Sequence, residues 1–414
     1  MKKIFPLLLL LISFQKILAQ TKSVLFIGNS YTSVNSLPST VHLLALSKGD
    51  TLFTDSNTPG GYTFMQHTTN TTTLAKIAQQ QWNYVVLQEQ SQMPAFPQSQ
   101  VQIEVYPYST ILDSLIHAND SCSETVFYMT WGRKNGDASN CASYPPICTY
   151  EGMQQGLRES YLAMGQMNNA SVAPVGMAWK KIIADSLSFD LYQSDESHPS
   201  VYGTYLTACV FYSIIYQKSP VGASYIGGVT DTSIALLLQQ TAEFIVFDSI
   251  ALWMESGNIP FAGFDFSTTG TTVTFQSTDL NGSQFQWDLG DGSSSALQNP
   301  SHNYTPGTYT VTQIVINNCL EDTATQQVVI LPSGIDNANE INQQLFFSEG
   351  NLFVKTETAA TLFIYDSLGK ISFSRYLNGN KNLGAIPLNF PSGFYIAILQ
   401  SENKGGMKTK LIIP

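Results

Sequence analysis

Val24-Leu25-Phe26-Ile27-Gly28-Asn29-Ser30-Tyr31-Thr32 is an apolar run that breaks at a glycine and delivers one serine. Four consecutive apolar residues followed by a Gly-Asn turn pair predict a buried strand whose tip presents Ser30. An isolated serine in such a place ordinarily caps a helix. A second segment far downstream, Ser194-Asp195-Glu196-Ser197-His198-Pro199-Ser200, changes that reading. A serine hydroxyl is a weak nucleophile until a neutral imidazole takes its proton, and the imidazole needs a carboxylate to fix its tautomer and stabilise the resulting cation. Asp195-x-x-His198 supplies both partners from one short loop. Glu196 and Asp190 are further carboxylates able to orient the imidazole, and the three-residue spacing favours Asp195. His42, His67 and His117 fall in predicted helices and His302 in a strand-rich motif, which leaves His198 as the base.

Working outward, short apolar runs near 24–29, 51–55, 84–88, 124–130 and 171–175 alternate with helical patterns near 37–48, 64–81, 101–118, 150–168 and 200–217. This alternation predicts an α/β domain, a parallel sheet covered by helices on both faces. In such sheets the ligand crevice lies beyond the carboxyl ends of the strands. Ser30, Gly61 and Gln90 each follow a predicted strand, so all three should emerge on that edge.

Gly28-Asn29-Ser30-Tyr31-Thr32 and Asp195-Glu196-Ser197-His198-Pro199 resemble the first and last blocks of the SGNH/GDSL hydrolase family, over about residues 21–217. The resemblance implies a three-layer α/β/α fold and a catalytic set of Ser30, Asp195 and His198 that needs no cofactor. It also implies an oxyanion hole made by the Ser30 amide, a glycine amide and a side-chain amide. Thr58-Pro59-Gly60-Gly61-Tyr62-Thr63 is similar to the glycine block, with Gly61 the better match and Gly60 the next. The third block departs: after Tyr84-Val85-Val86-Leu87 comes Gln88-Glu89-Gln90-Ser91, where Gly-x-Asn-Asp is usual. Gln90 falls where the asparagine should be and offers the same amide on a stem one methylene longer. Ser91 or a backbone amide of the 88–91 turn is the alternative donor. Glu89, which as an ion would oppose a developing oxyanion, is expected to point away into hydrogen bonds. Trp131-Gly132-Arg133-Lys134-Asn135 follows the fourth strand on the same edge. Trp131 is placed there to stack on a sugar and Arg133 to hold a carboxylate. An α/β-hydrolase arrangement shares the order Ser, Asp, His but expects a G-x-S-x-G elbow deep in the chain, and no second glycine follows Ser30.

At 414 residues the chain is longer than one hydrophobic core usually supports. Lys2 and Lys3, the apolar Phe5 to Ile12 and Leu18-Ala19-Gln20 form the three zones of a signal peptide over residues 1–20. Ser233 to Met254 is the other apolar stretch, but Gln239, Gln240, Glu243 and Asp248 mark it as an amphipathic helix rather than a transmembrane anchor. A net charge of −11 with 19 Lys and Arg argues against nucleic acid or anionic lipid as partner. Five cysteines suit an oxidising compartment and leave at least one unpaired. Cys141 and Cys148, bracketing a Tyr-Pro-Pro-Ile turn, are the expected disulfide, and Cys209 in an apolar helix the buried thiol. The Cys and His spacing suggests no metal site.

Near residue 260 the character changes. Gln284-Phe285-Gln286-Trp287-Asp288-Leu289-Gly290-Asp291-Gly292 and Gly307-Thr308-Tyr309-Thr310-Val311-Thr312 show strand alternation broken by Gly and Asp turns, as a small all-β sandwich requires. They resemble a PKD domain, over about 262–332, following a hydrolase domain at 21–258. The tail, 337–414, is strand-rich again. Its Leu362-Phe363-Ile364-Tyr365-Asp366-Ser367-Leu368-Gly369-Lys370, Pro391 to Leu399 and Lys408 to Ile413 resemble the type A C-terminal sorting domain of the type IX secretion system. That likeness implies the type IX machinery as partner and passage through the periplasm to the cell surface or medium. Together the resemblances imply a secreted serine esterase acting on a carbohydrate or small ester, most simply an O-acetyl group on a polysaccharide. A lipid or general carboxylester hydrolase is the first alternative. An inactive surface glycan-binding or adhesion protein is the second.

Overall fold

The structure, a computed structural model, describes residues 21–185, 188–255 and 257–330 and, in the C-terminal part, 344–348, 351–356, 359–366, 371–378, 380–387, 390, 393–401 and 404–413. The expected signal peptide at 1–20 lies outside the described residues. Two compact units divide at Pro332 and Ser333.

The first unit begins with five strands, β1 (Thr21–Ile27), β2 (Thr51–Asn57), β3 (Tyr84–Leu87), β4 (Glu124–Tyr128) and β5 (Ser171–Ala173), paired in parallel in the order β2-β1-β3-β4-β5. Val24 to Ile27, Tyr84 to Leu87 and Val126 to Tyr128 are buried, which is why these strands read as continuous apolar runs. The expected α/β sheet covered by helices is thus present. The helices are α1 (Ser30–Ser33), α2 (Leu37–Ser47), α3 (Phe64–His67), α4 (Thr71–Ile77), α5 (Gln98–Glu104), α6 (Tyr106–Asn119), α7 (Tyr150–Asn168), α8 (Val175–Ala184), α9 (Val201–Tyr216), α10 (Thr232–Phe247) and α11 (Ile250–Met254). Every residue of α9 from Gly203 to Tyr216 is buried, because α2, α8 and α10 pack around it. A helix apolar on all sides is stable only when covered on all sides.

Three predicted helices are each broken in two, the Ser233 to Met254 stretch dividing at Asp248 and Ser249 into α10 and α11. Asn70 interrupts 64–81 because its side chain accepts the Thr73 amide and starts α4 afresh. The 101–118 pattern begins earlier, at Gln98, and breaks at Val105, where Pro107 in the next turn lacks the amide that would continue the ladder.

The same unit continues into seven antiparallel strands, β6 (Phe264–Thr269), β7 (Thr272–Ser277), β8 (Gln284–Asp288), β9 (Ser294–Ser295), β10 (Ser301–Asn303), β11 (Gly307–Ile316) and β12 (Glu321–Ile330). They form two sheets, β10-β7-β6 and β12-β11-β8-β9, around Phe264, Phe275, Trp287, Tyr304 and Val311. The two domains are fastened together. Cys122, just before β4, is disulfide-bonded to Cys319 in the β11–β12 turn. Asn281 Nδ2 donates to the carbonyls of Met254 (2.8 Å) and Ile259 (3.1 Å), and Asn317 donates to that of Asn258. The Cys122–Cys319 pairing left no local pattern in the sequence, since 197 positions separate the partners. Cys141–Cys148 is also formed, and Cys209 is a buried thiol.

The second unit holds two antiparallel sheets. One is β13 (Gln344–Ser348), β14 (Asn351–Thr356) and β17 (Asn380–Pro387); the other is β15 (Ala360–Asp366), β16 (Ile371–Leu377), β18 (Gly393–Ser401) and β19 (Lys404–Ile413). Leu352, Leu362, Ile364, Ala397 and Leu399 form its core. Parts of the segments that carry the sorting-domain likeness, including 367–370 and 391–392, lie outside the described residues. No helix among the described residues is long and apolar enough to cross a membrane.

Candidate active site

The site is built at the carboxyl ends of β1 and β3. Their register pairs Ile27 with Leu87, so the residues that follow, Gly28 and Gln88, leave the sheet side by side. Gln88 is fully buried, and its Oε1 accepts the Asn29 amide (2.9 Å) and the Thr32 hydroxyl (2.9 Å). Its Nε2 donates to Asn29 Oδ1 at 3.0 Å. A side chain at position 28 would run into this arrangement, since a Cβ on Gly28 would stand 2.6 Å from Gln88 Oε1. From below, His67 Nε2–H donates to the Gly28 carbonyl at 2.9 Å while Nδ1 accepts from Thr73 Oγ1 at 2.8 Å. Burial lowers the pKa of His67 and favours this neutral, bridging form. Ser30 is therefore presented on a turn pinned from two sides, as the first residue of α1 with Asn29 as its cap.

The second segment, more than 160 positions downstream, closes on Ser30. Residues 191–200 form a tight hairpin in which Gln193 N donates to His198 O (2.8 Å) and Ser200 N to Leu191 O (2.8 Å). His198 Nε2 lies 2.8 Å from Ser30 Oγ, and His198 Nδ1 lies 2.5 Å from Asp195 Oδ2. Asp195 Oδ1 also accepts the amides of Ser197 (3.1 Å) and His198 (3.0 Å). Slight burial pushes the Asp195 carboxyl up, but the His198 ring and these two amides prevail and hold it below its ordinary value. The competing carboxylates are engaged elsewhere: Glu196 accepts from Asn135 Nδ2 at 2.7 Å, and Asp190 pairs with Lys134. The arrangement can pass a proton from Ser30 to His198 with Asp195 holding the imidazole tautomer.

Trp131 does not do what its position in the sequence suggested. It is fully buried, stacked on Tyr31 (centroids 4.8 Å apart) and on Trp179 (3.8 Å), so both ring faces are covered and neither meets a sugar. Its Nε1 donates to the Ser197 carbonyl at 3.0 Å, and Tyr31, edge-on to His198, has its hydroxyl 2.6 Å from Ser197 Oγ. The aromatic stack thus supports the histidine loop. Arg133 is likewise an internal brace rather than an open carboxylate receptor. Its Nη1 is 3.2 Å from Oδ1 of the fully buried Asp137, and its Nη2 reaches Ser91 and Gln92.

Gly61 sits in the Thr58–Thr63 loop with φ +70° and open space where a side chain would be. Asn29 Nδ2 donates to the Tyr62 carbonyl at 2.9 Å and so ties this loop to the serine turn. Gln90 Nε2 gives one hydrogen to Gln92 Oε1 at 3.2 Å, leaving one for another acceptor. The Gln90 backbone amide is taken by the Glu89 carboxylate at 2.6 Å. Glu89 points inward, as expected, to Phe64 N and Gln90 N. Sequence reasoning missed Gln88 and the His67 bridge. The signal for Gln88 was its place immediately after β3, beside Gly28.

A family model of the PKD domain matches residues 259–331. No curated protein matches the chain in sequence. Among solved structures, a DUF4886 family protein from Bacteroides uniformis is similar at 16% identity, covering 55% of this chain and 96% of its own, with a TM-score of 0.48. A psychrotrophic esterase from Pseudoalteromonas is similar at 15% identity over 47% of this chain and 97% of its own, with a TM-score of 0.33. The PKD1 domain of the Vibrio cholerae metalloprotease PrtV is 30% identical over 18% of this chain and 98% of its own, with a TM-score of 0.17.

Proposed function

We propose that the chain is a secreted serine esterase that hydrolyses carboxylic esters through an acyl-enzyme on Ser30. The observation that carries this reading is the Ser30–His198–Asp195 relay, with His198 Nε2 2.8 Å from the serine oxygen. Ser30 Oγ attacks the ester carbonyl as His198 takes its proton, and the imidazolium then returns that proton to the departing alkoxide. Asp195 holds the ring and stabilises its charge. The amides of Ser30 and Gly61 and the Gln90 side chain would receive the oxyanion, each such donor being worth about 3 kcal/mol in the transition state. Water deacylates Ser30 by the same proton path, and the chain's own groups suffice for each step.

The proposed export and the accessory sandwich support one substrate class, an O-acetyl group on carbohydrate. Transport through the periplasm, with the C-terminal domain as sorting signal, completes the reading. The test is release of acetate from acetylated glycans beside hydrolysis of soluble acyl esters of rising chain length. Preference for acetyl on glycan supports the assignment, and a rate that climbs with chain length would favour lipid esters instead. Absence of ester hydrolysis on every substrate would favour the glycan-binding alternative.

A further inference from the structure

Glu89 is fully buried, and each of its polar groups is committed. Its carboxylate oxygens lie 3.1 and 2.9 Å from the Phe64 amide, and Oε1 accepts the Gln90 amide at 2.6 Å. Its own amide donates to Tyr161 Oη at 3.3 Å, and its carbonyl accepts from Gln88 Nε2. Phe64 opens α3 directly after Thr63, whose side chain forms a capping box with Gln66. The loop bearing Gly61 therefore ends, three residues on, at an amide held by Glu89. Gln90 is its chain neighbour, and Gln88 fastens the serine turn. One carboxyl thus fixes the spacing of two loops that approach Ser30 from different strands.

We infer that Glu89 is a positioning residue that sets the geometry of the oxyanion hole by clasping the Gly61 loop to the Gln90 turn. The inference rests on Ser30 being the nucleophile. An apolar residue of similar size would avoid the cost of burying a carboxyl, but it would leave two buried amides unpaired. Burial pushes the Glu89 carboxyl up to about 8 against the pull of the Gln90 and Phe64 amides, which disfavours a full negative charge beside a developing oxyanion. It accepts from both amides in either protonation state.

The test uses the full chain, a soluble acetyl ester, and a fluorophosphonate end-point label to count active sites. Glu89→Leu should lower kcat per labelled site about a hundredfold with KM within about threefold, because oxyanion alignment acts in the transition state. Glu89→Gln keeps one acceptor oxygen and should recover about tenfold of that loss. A purely structural role predicts fewer labelled sites of normal kcat, so a Glu89→Leu value within about threefold of wild type overturns the inference. Should the leucine variant not fold, Glu89→Gln decides alone: a kcat per site lowered about fivefold or more supports the clasp, and an unchanged one overturns it. Full turnover by Ser30→Ala would instead overturn the nucleophile assignment on which the inference rests.

Discussion

Ser30 depends on neighbours that contribute unequally. In the proposed mechanism His198 moves the proton, so His198→Ala should lower kcat by about 10⁴-fold, measured on a soluble acetyl ester. Asp195 is about half exposed, at 47%, so water can partly replace it. Asp195→Asn should therefore cost less, on the order of a hundredfold, and Glu196→Gln nearly nothing. The reverse order would mean that the wrong carboxylate has been assigned. Gln88→Ala should lower kcat about tenfold with little change in KM, because it frees Asn29 and Thr32 without touching substrate. At this scale the sequence marked the three side chains that the fold brings together better than it marked their supports. Ser30, Asp195 and His198 are each named by residue type and local spacing. Trp131 was misjudged because its position after β4 says which edge it leaves from, not which way its ring turns. Only the stack of Tyr31, Trp131 and Trp179 settles that.

Between elements, a second buried carboxyl carries a pH signature. Glu124 on β4 accepts from Ser171 N (3.0 Å), Ser171 Oγ (2.7 Å) and Asn258 N (3.0 Å), joining β5 and the end of the α/β domain. Burial raises its carboxyl to about 7. A carboxyl whose folded pKa exceeds its unfolded value contributes stability that is full below about 4.5 and is lost as pH rises through 7. The Tm of Glu124→Gln, relative to wild type, should therefore rise between pH 5 and pH 8. A gap independent of pH would contradict the assignment. Lys22, lowered to about 8 by burial despite Asp322 and Asp50, titrates above most of this window. Strand and helix placement was legible here because buried parallel strands are short apolar runs. The breaks at Asn70 and Val105 were not anticipated, since helical periodicity continues across a cap or a proline and only backbone hydrogen bonding reveals the restart.

Across the molecule, the change of character near residue 260 was visible in the sequence, while the way the two domains are joined was not. A disulfide between cysteines 197 positions apart leaves no local pattern. Closing a loop of that length is worth on the order of 5 kcal/mol in the chain-entropy account. Replacing both cysteines, Cys122→Ser with Cys319→Ser, should lower the Tm of the first unit by several degrees while kcat on a small ester stays near wild type, because the candidate catalytic residues precede residue 200. A matching loss of kcat would show that the sandwich shapes the site. Whether Ser30 is the nucleophile is decided by treating the full chain with a fluorophosphonate ester and locating the adduct by mass spectrometry. A nucleophilic Ser30 yields one adduct, on Ser30, appearing as activity disappears, and neither label nor turnover in Ser30→Ala. An adduct on another residue, or Ser30→Ala turnover within about tenfold of wild type, would contradict it.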